Sequence, residues 1–224
     1  MKPTSNKCDP LLGTEVNAYL KKKGVQTPMK GLPDEITTDV QQTNIAFKIG
    51  DIMAVLGLDL EDDSLKGTPK RIANMFVNEL YWGLSDDYFP RAMTVENKMS
   101  YDEMIVIKDV TSMSACEHHF VTIDGKCSIA YIPNKKVLGL SKINRIVEYF
   151  SRRPQIQERL TEQIFYALEY VLGTSDIAVV MNGVHYCVKS RGVEDTSSST
   201  TTSKLGGKFR EFPEMRAEFF SLIK

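Results

Sequence analysis

The pattern of apolar positions changes character near residue 90. Before that point hydrophobic residues recur at helical spacing. Leu12, Val16, Tyr19 and Leu20 set out one helix, which Gly24 closes, and the eleven residues ahead of it read as a mobile lead-in. Residues 25–33, with Pro28, Gly31 and Pro33, form a connector. A second helix is predicted from Asp34 to about Leu56, with Ile36, Val40, Ile45, Ile49, Ile52, Met53 and Leu56 as a broad apolar stripe and Gly57 as its stop. Thr68 ahead of Pro69 marks a third start, a capping residue and then a proline at the first helical position. Ile72, Phe76 and Leu80 carry that helix towards Gly83.

After Pro90 short β-rich runs take over. Met104–Ile107 and Phe120–Ile132 read as two strands. Ser141 opens a helix with Ile143, Ile146, Val147 and Phe150 on its inner side. Pro154 opens the next, carrying Ile156, Leu160, Ile164, Leu168 and Val171 and stopped by Gly173. Ile177–Val188 is again strand-like, and the Ser/Thr stretch at 196–203 reads as a polar but β-permissive strand rather than a linker. A helix over 213–223 ends the chain. The predicted class is α+β, with an N-terminal helical segment (1–92) and a second domain (93–224) ordered strand, strand, helix, helix, strand, strand. Two hairpins with helices between them make an antiparallel four-stranded sheet with two helices on one face.

Composition narrows the function. The chain has 224 residues with 28 basic and 29 acidic side chains, a net charge of −1. Nothing global points to nucleic acid or an anionic membrane, so positive contacts to a polyanion must be local. No apolar run approaches the roughly 20 residues that span a bilayer, and no signal-like apolar core follows the polar start. A cytoplasmic protein with reduced thiols is expected. Of its four cysteines, Cys8 and Cys127 then stand as bystanders, the latter in a strand.

The chemistry concentrates in two short segments. Cys116-Glu117-His118-His119 and Val184-His185-Tyr186-Cys187 hold all three histidines and two of the four cysteines. Thiolate and imidazole suit zinc. Cys116 and His119, three apart, can converge through a turn, and Cys187 completes a three-ligand set. A closed structural site with His118 or His185 as fourth ligand fits the donors equally well. The surplus of two imidazoles favours catalysis, since acid–base hydrolysis needs a free imidazole beside an activated water.

Gly139-Leu140-Ser141-Lys142 can hold a phosphate at a helix start, with Arg145 one turn on and Arg191 and Lys189 after Cys187. Taken alone, the first stretch reads as a plain helix cap and the last two residues as solvated surface. Glu158, at the start of its helix, complements the helix dipole. It can also accept two hydrogen bonds from adjacent N–H groups such as those of guanine.

Taken together, these segments resemble the GTP cyclohydrolase I family. The similarity rests on Cys116–Val121, Gly139–Val147, Gln155–Thr161 and His185–Val193, with the Thr68–Ala73 helix start, and it runs from about residue 34 to the C-terminus. The resemblance implies a tunnelling fold whose subunits' sheets join into barrels, with two rings stacked as a decamer. It implies conversion of GTP and water to 7,8-dihydroneopterin triphosphate and formate. By the same resemblance Cys116, His119 and Cys187 hold Zn2+ that activates water for addition at purine C8. His118 protonates the ring, and His185 with Ser141 assists ribose opening and rearrangement. Glu158, supported by Gln157, anchors guanine. Lys142, Arg145 and Arg191 meet the triphosphate, joined by Arg71 from a neighbouring subunit. Two rivals stand beside this reading: a silent nucleotide-binding protein with structural zinc, and another tunnelling-fold pterin or purine enzyme.

Overall fold

Proline and glycine set many of the element boundaries. The structure, a computed structural model, describes residues 2–33 and 36–224. Its helices are α1 (Pro10–Lys22), α2 (Thr38–Val55), α3 (Thr68–Asn74), α4 (Leu140–Ser151), α5 (Gln157–Leu172), α6 (Tyr186–Lys189), α7 (Gly207–Glu211) and α8 (Pro213–Leu222). Its strands are β1 (Thr94–Glu96), β2 (Ile105–Cys116), β3 (Thr122–Tyr131), β4 (Lys136–Leu138), β5 (Pro154–Gln155), β6 (Ile177–His185) and β7 (Thr200–Leu205).

The described residues fall into two compact units, one of Lys2 with 28–82 and the other of 3–27 with 83–224. The first holds α2 and α3. The predicted start of the second helix at Asp34 lies outside the described residues; α2 begins at Thr38, where the Thr37 hydroxyl accepts from the Val40 N–H. The expected apolar stripe of the second helix is largely uncovered: Val40 is 38%, Ile52 55% and Leu56 70% exposed, and only Met53 is buried. In α3 the cap position falls to Gly67 and Thr68 is the first helical residue, its hydroxyl accepting from Arg71. The helix then widens into a π-helical stretch at Met75–Leu80.

The second unit contains the sheet, and α1 belongs with it rather than with the other N-terminal helices. Val16 and Leu20 are fully buried. Tyr19 Oη donates to Glu169 of α5 at 2.7 Å, and Lys23 pairs with the same carboxylate at 3.3 Å. The lead-in is also fixed in place. Asp9 caps α1 by accepting from the Leu12 N–H at 3.1 Å, and Cys8 forms a β-bridge with Pro90.

The large sheet has five strands, not four, in the order β5-β2-β3-β6-β7. The four long strands pair antiparallel. The fifth, β5, pairs parallel with Ala115 and Cys116 of β2. Pro154 therefore does not open a helix: it is spent on this short strand, and α5 begins three residues later. A separate antiparallel pair joins β1 to β4.

Strand register sorts the core. Cys127, Ile129 and Tyr131 stand opposite Met181, Val179 and Ile177. They are buried together with Ile143, Ile146, Val147 and Phe150 of α4 and Leu160, Ile164 and Leu168 of α5. Each such side chain, fully removed from water, contributes about 1.5–3 kcal/mol. The alternate positions, Ala130, Ala178 and Val180, meet Phe209 of α7 and Phe219 of α8. Because successive strand residues point to opposite faces, the two C-terminal helices cover part of the face that the two-helix arrangement would leave bare.

Candidate active site

The end of β2 and the end of β6 arrive on either side of the start of β3, which pairs with both. Ile123, at the start of β3, lies opposite Ser114 of β2 and opposite His185 of β6. Between β2 and β3 the chain turns sharply. The Phe120 N–H donates to Cys116 O at 2.8 Å and the Cys116 N–H to Val121 O at 2.8 Å. Phe120 takes a left-handed φ of 54°, uncommon for a bulky side chain. The turn folds both imidazoles back towards the thiol, with His118 Nδ1 3.8 Å and His119 Nδ1 3.9 Å from Cys116 Sγ.

On the other side β6 stops at His185 and the chain enters α6, so Cys187 lies on a helical turn and not on the strand beside His185. That turn completes a cluster: one donor atom each from Cys116, His119 and Cys187 lies within 4.8 Å of the others. Tetrahedral zinc bonds of about 2.3 Å to sulfur and 2.0–2.1 Å to nitrogen would set such atoms about 3.5–3.8 Å apart. The set needs only a small contraction, and its two thiols and one imidazole suit zinc. Burial grades across it, from buried Cys116 through half-buried Cys187 to exposed His119. Burial, and Cys116 beside it, push the Cys187 thiol up.

The remaining histidine of the second segment is held differently. His185 Nε2 lies 2.8 Å from Gln157 Oε1. Burial pushes the His185 imidazole down, while the Glu158 carboxylate pulls the other way. Gln157 is 2% exposed. Its amide nitrogen faces Met181 O (3.2 Å), Thr200 O (2.9 Å) and Thr202 Oγ1 (3.2 Å). Gln157, expected beside a substrate, is thus a buried residue engaged with the protein itself. Glu158, next to it, is exposed at the first turn of α5.

Arg191 is exposed. Its guanidinium donates to His119 Nε2 at 3.0 Å and to Cys187 O at 3.4 Å. An arginine only donates, so His119 Nε2 accepts and the ring proton sits on Nδ1, facing Cys116 Sγ; ligation through Nδ1 would require that proton to move to Nε2, breaking the bond from Arg191. At the start of α4 the cap is Gly139, with no side-chain cap bond, and Ser141 is exposed. Lys142 and Arg145 are half-buried, and the charge of Arg145 reaches the buried Cys8 thiol, which burial raises. Among the described residues no side-chain hydrogen bond joins Ser141, Lys142 or Arg145 to the cysteine–histidine cluster. Arg71 belongs to the other unit, where it donates to Ser64 O and Thr68 Oγ1.

Three contributors carry no signal in the sequence. Glu117, inside the first segment, accepts two hydrogen bonds from Arg159, at 2.5 and 3.2 Å. Gly183 leaves room that a Cβ would fill, since it would come within 2.5 Å of Gln157 Oε1. Each was visible as a residue, but partners so far apart along the chain leave no mark in local spacing.

The family model described as GTP cyclohydrolase I matches residues 45–224. The chain belongs to the GTP cyclohydrolase I family. It is 52% identical over 210 residues to GTP cyclohydrolase 1 of Shewanella sp. (strain ANA-3), covering 94% of this chain and 96% of that one. The relative named GTP cyclohydrolase 1 in Erwinia tasmaniensis is 51% identical over 211 residues, with the same coverage. That in Klebsiella pneumoniae is 50% identical over 209 residues, covering 93% and 94%. The GTP cyclohydrolase I match takes in every cysteine and histidine of the cluster.

Proposed function

We propose that this protein is a zinc-dependent GTP cyclohydrolase I, which hydrolyses GTP to 7,8-dihydroneopterin triphosphate and formate at the head of tetrahydrofolate and pterin biosynthesis. The observation that carries this reading is the convergence of Cys116, His119 and Cys187 beside two further imidazoles, in a chain of this family. Three protein donors leave a tetrahedral ion one open position. Zinc, when bound there, lowers the pKa of a water molecule to about 7, which makes hydroxide available at neutral pH.

The chain's own residues do the rest. His118, exposed beside the cluster, protonates the purine ring nitrogen as C8 is hydrated and the imidazole ring opens with loss of formate. His185, with Ser141, moves protons during ribose opening and rearrangement. Glu158 accepts from the guanine N1 and N2 hydrogens, with Gln157 behind it. Lys142, Arg145 and Arg191 meet the triphosphate, and Arg71 of a neighbouring subunit joins them. This local charge suits a protein whose net charge is only −1.

The assembly we propose is a tunnelling-fold homodecamer of cytoplasmic location, two stacked pentamers with sites between subunits and 93–224 as the catalytic domain. Two features support it. Among the described residues the outer edge of β7 is unpaired and that of β2 is paired only at Ala115 and Cys116, and such edges recruit further strands. The uncovered apolar side chains of α2 call for a partner surface. No described helix is long and apolar enough to cross a membrane.

The test is to incubate the purified protein with GTP and measure formate together with the fluorescent pterin formed after oxidation, with and without chelator. Stoichiometric formate and pterin, lost on chelation and restored by zinc, are expected. Zinc retained with no formate at any protein concentration would leave the silent nucleotide-binding protein in its place.

A further inference from the structure

The Glu117–Arg159 pair has no part in that chemistry, yet it sits at the joint between the two halves of the site. Glu117 lies between Cys116 and His118 in the turn. Its N–H donates to Gln155 O at 3.0 Å. Its carboxylate takes both arms of the Arg159 guanidinium, at 2.5 and 3.2 Å. The pair is largely shielded, with the Arg159 and Glu117 side chains 16% and 22% exposed. Arg159 is the third residue of α5. Gln157, the first, reaches His185, and Glu158, the second, is exposed in the same turn. Three consecutive residues thus touch the end of β6, face the open side and grip the β2 turn.

We infer that Arg159 and Glu117 are a positioning pair that fixes the ligand-bearing turn against the start of α5, and so sets where the cysteine–histidine cluster stands relative to Glu158. The inference rests on the proposed GTP hydrolysis. A planar guanidinium holding a carboxylate by two parallel bonds defines angle as well as distance. A single-point contact would leave the turn free to rotate. The β5–β2 pairing and the Glu117 N–H bond to Gln155 O fix the backbone as far as Glu117 but leave the direction of its side chain open. Beyond that residue, the placement of His118 and His119 depends on the orientation of Glu117, which stands between them and the strand. Neither residue of the pair touches the reacting atoms; both act through their neighbours.

The experiment compares the parent with Arg159→Lys, Arg159→Ala, Glu117→Ala and the double alanine variant. Each metal-free protein is titrated with cobalt(II), following its visible absorption, and the zinc-loaded proteins are assayed for kcat and KM on GTP. Arg159→Lys keeps the charge and loses the fork. It is expected to weaken cobalt binding and lower kcat by about 10- to 100-fold each, the usual effect of losing a residue that orients metal ligands, with KM within about threefold. The double variant should lose no more than either single one. Cobalt affinity and kcat both within threefold of the parent would overturn the inference, as would a kcat loss matched by lost thermal stability alone. If Arg159→Ala does not fold, Arg159→Lys still decides. A parent that releases no formate while holding cobalt normally would sink the hydrolase reading instead, and the cobalt titrations would then judge the pair by themselves.

Discussion

Gln157 Oε1 and His185 Nε2 are 2.8 Å apart, and the direction of that hydrogen bond is fixed by groups on the far side of the glutamine. Met181 O and Thr200 O accept only, so the Gln157 amide nitrogen must face them. The amide oxygen is left facing His185, whose Nε2 therefore carries the proton and whose Nδ1 carries the lone pair. Replacing Gln157 by Glu turns an oxygen towards two carbonyls. Gln157→Glu should lower kcat about tenfold or more, since misplacement of groups by about 1 Å can cost about 100-fold, and ring 15N shifts of His185 in the parent should show its proton on Nε2. A parent ring protonated on Nδ1 would contradict this assignment.

Gly183 supplies the room for that arrangement. A methyl group there would come within 2.5 Å of Gln157 Oε1 and 3.2 Å of Ile123 Cγ2. Gly183→Ala is expected to cost about 1–3 kcal/mol of stability by overpacking, measured by denaturant unfolding. It should lower kcat alongside Gln157→Glu. Parent-like stability and turnover would mean the strand yields easily at this point.

Metal dependence should follow the donor set. Cys187→Ser keeps the shape of α6 and removes a soft ligand from the cluster. Zinc affinity, measured by competition with a chromophoric chelator, should fall by more than the about 10–100-fold typical of losing a residue that merely orients a ligand. Cys127→Ser, at a fully buried strand position outside the cluster, should leave zinc stoichiometry unchanged.

Guanine recognition by Glu158 predicts a discrimination between bases. The carboxylate is expected to accept from N1 and from the 2-amino group, so inosine triphosphate, lacking that group, should be the poorer substrate. Glu158→Gln should lower kcat/KM for GTP by about 10- to 100-fold, the range for a hydrogen bond to a charged group worth about 1.5–3 kcal/mol. It should also narrow the GTP to inosine triphosphate ratio. An intact ratio in the variant would move base recognition elsewhere.

Acid stability should report on Glu117. Arg159 beside it holds its carboxyl below the ordinary glutamate value, which is about 4.3. A group whose folded pKa is depressed contributes stability that is fully present above the unfolded value and is lost as pH falls through the folded one. The parent should thus lose stability below about pH 4 more steeply than Glu117→Gln. Parallel denaturation curves for the two between about pH 3 and pH 6 would mean the pair adds nothing to folding.

The order of strands and helices, the concentration of donors at Cys116–His119 and His185–Cys187, and the family were legible in the residues themselves. Each is written in local periodicity or in short motifs. Gly173, for example, ends α5 as expected, with a left-handed φ of 67°. The remainder came from pairings between distant segments. Pro154 reads locally as a helix start, but β2 offers Ala115 and Cys116 an unfilled edge, and a strand pair there satisfies backbone groups a helix start would leave exposed. Cys187 reads as a strand neighbour of His185, yet a turn of helix carries it onto the cluster. Gln157 reads as a support for Glu158, and the fold shows what holds that support in place, two strands and an imidazole. Spacing encodes which groups share a face, but only the folded chain decides which faces meet, because that depends on register between strands far apart in sequence.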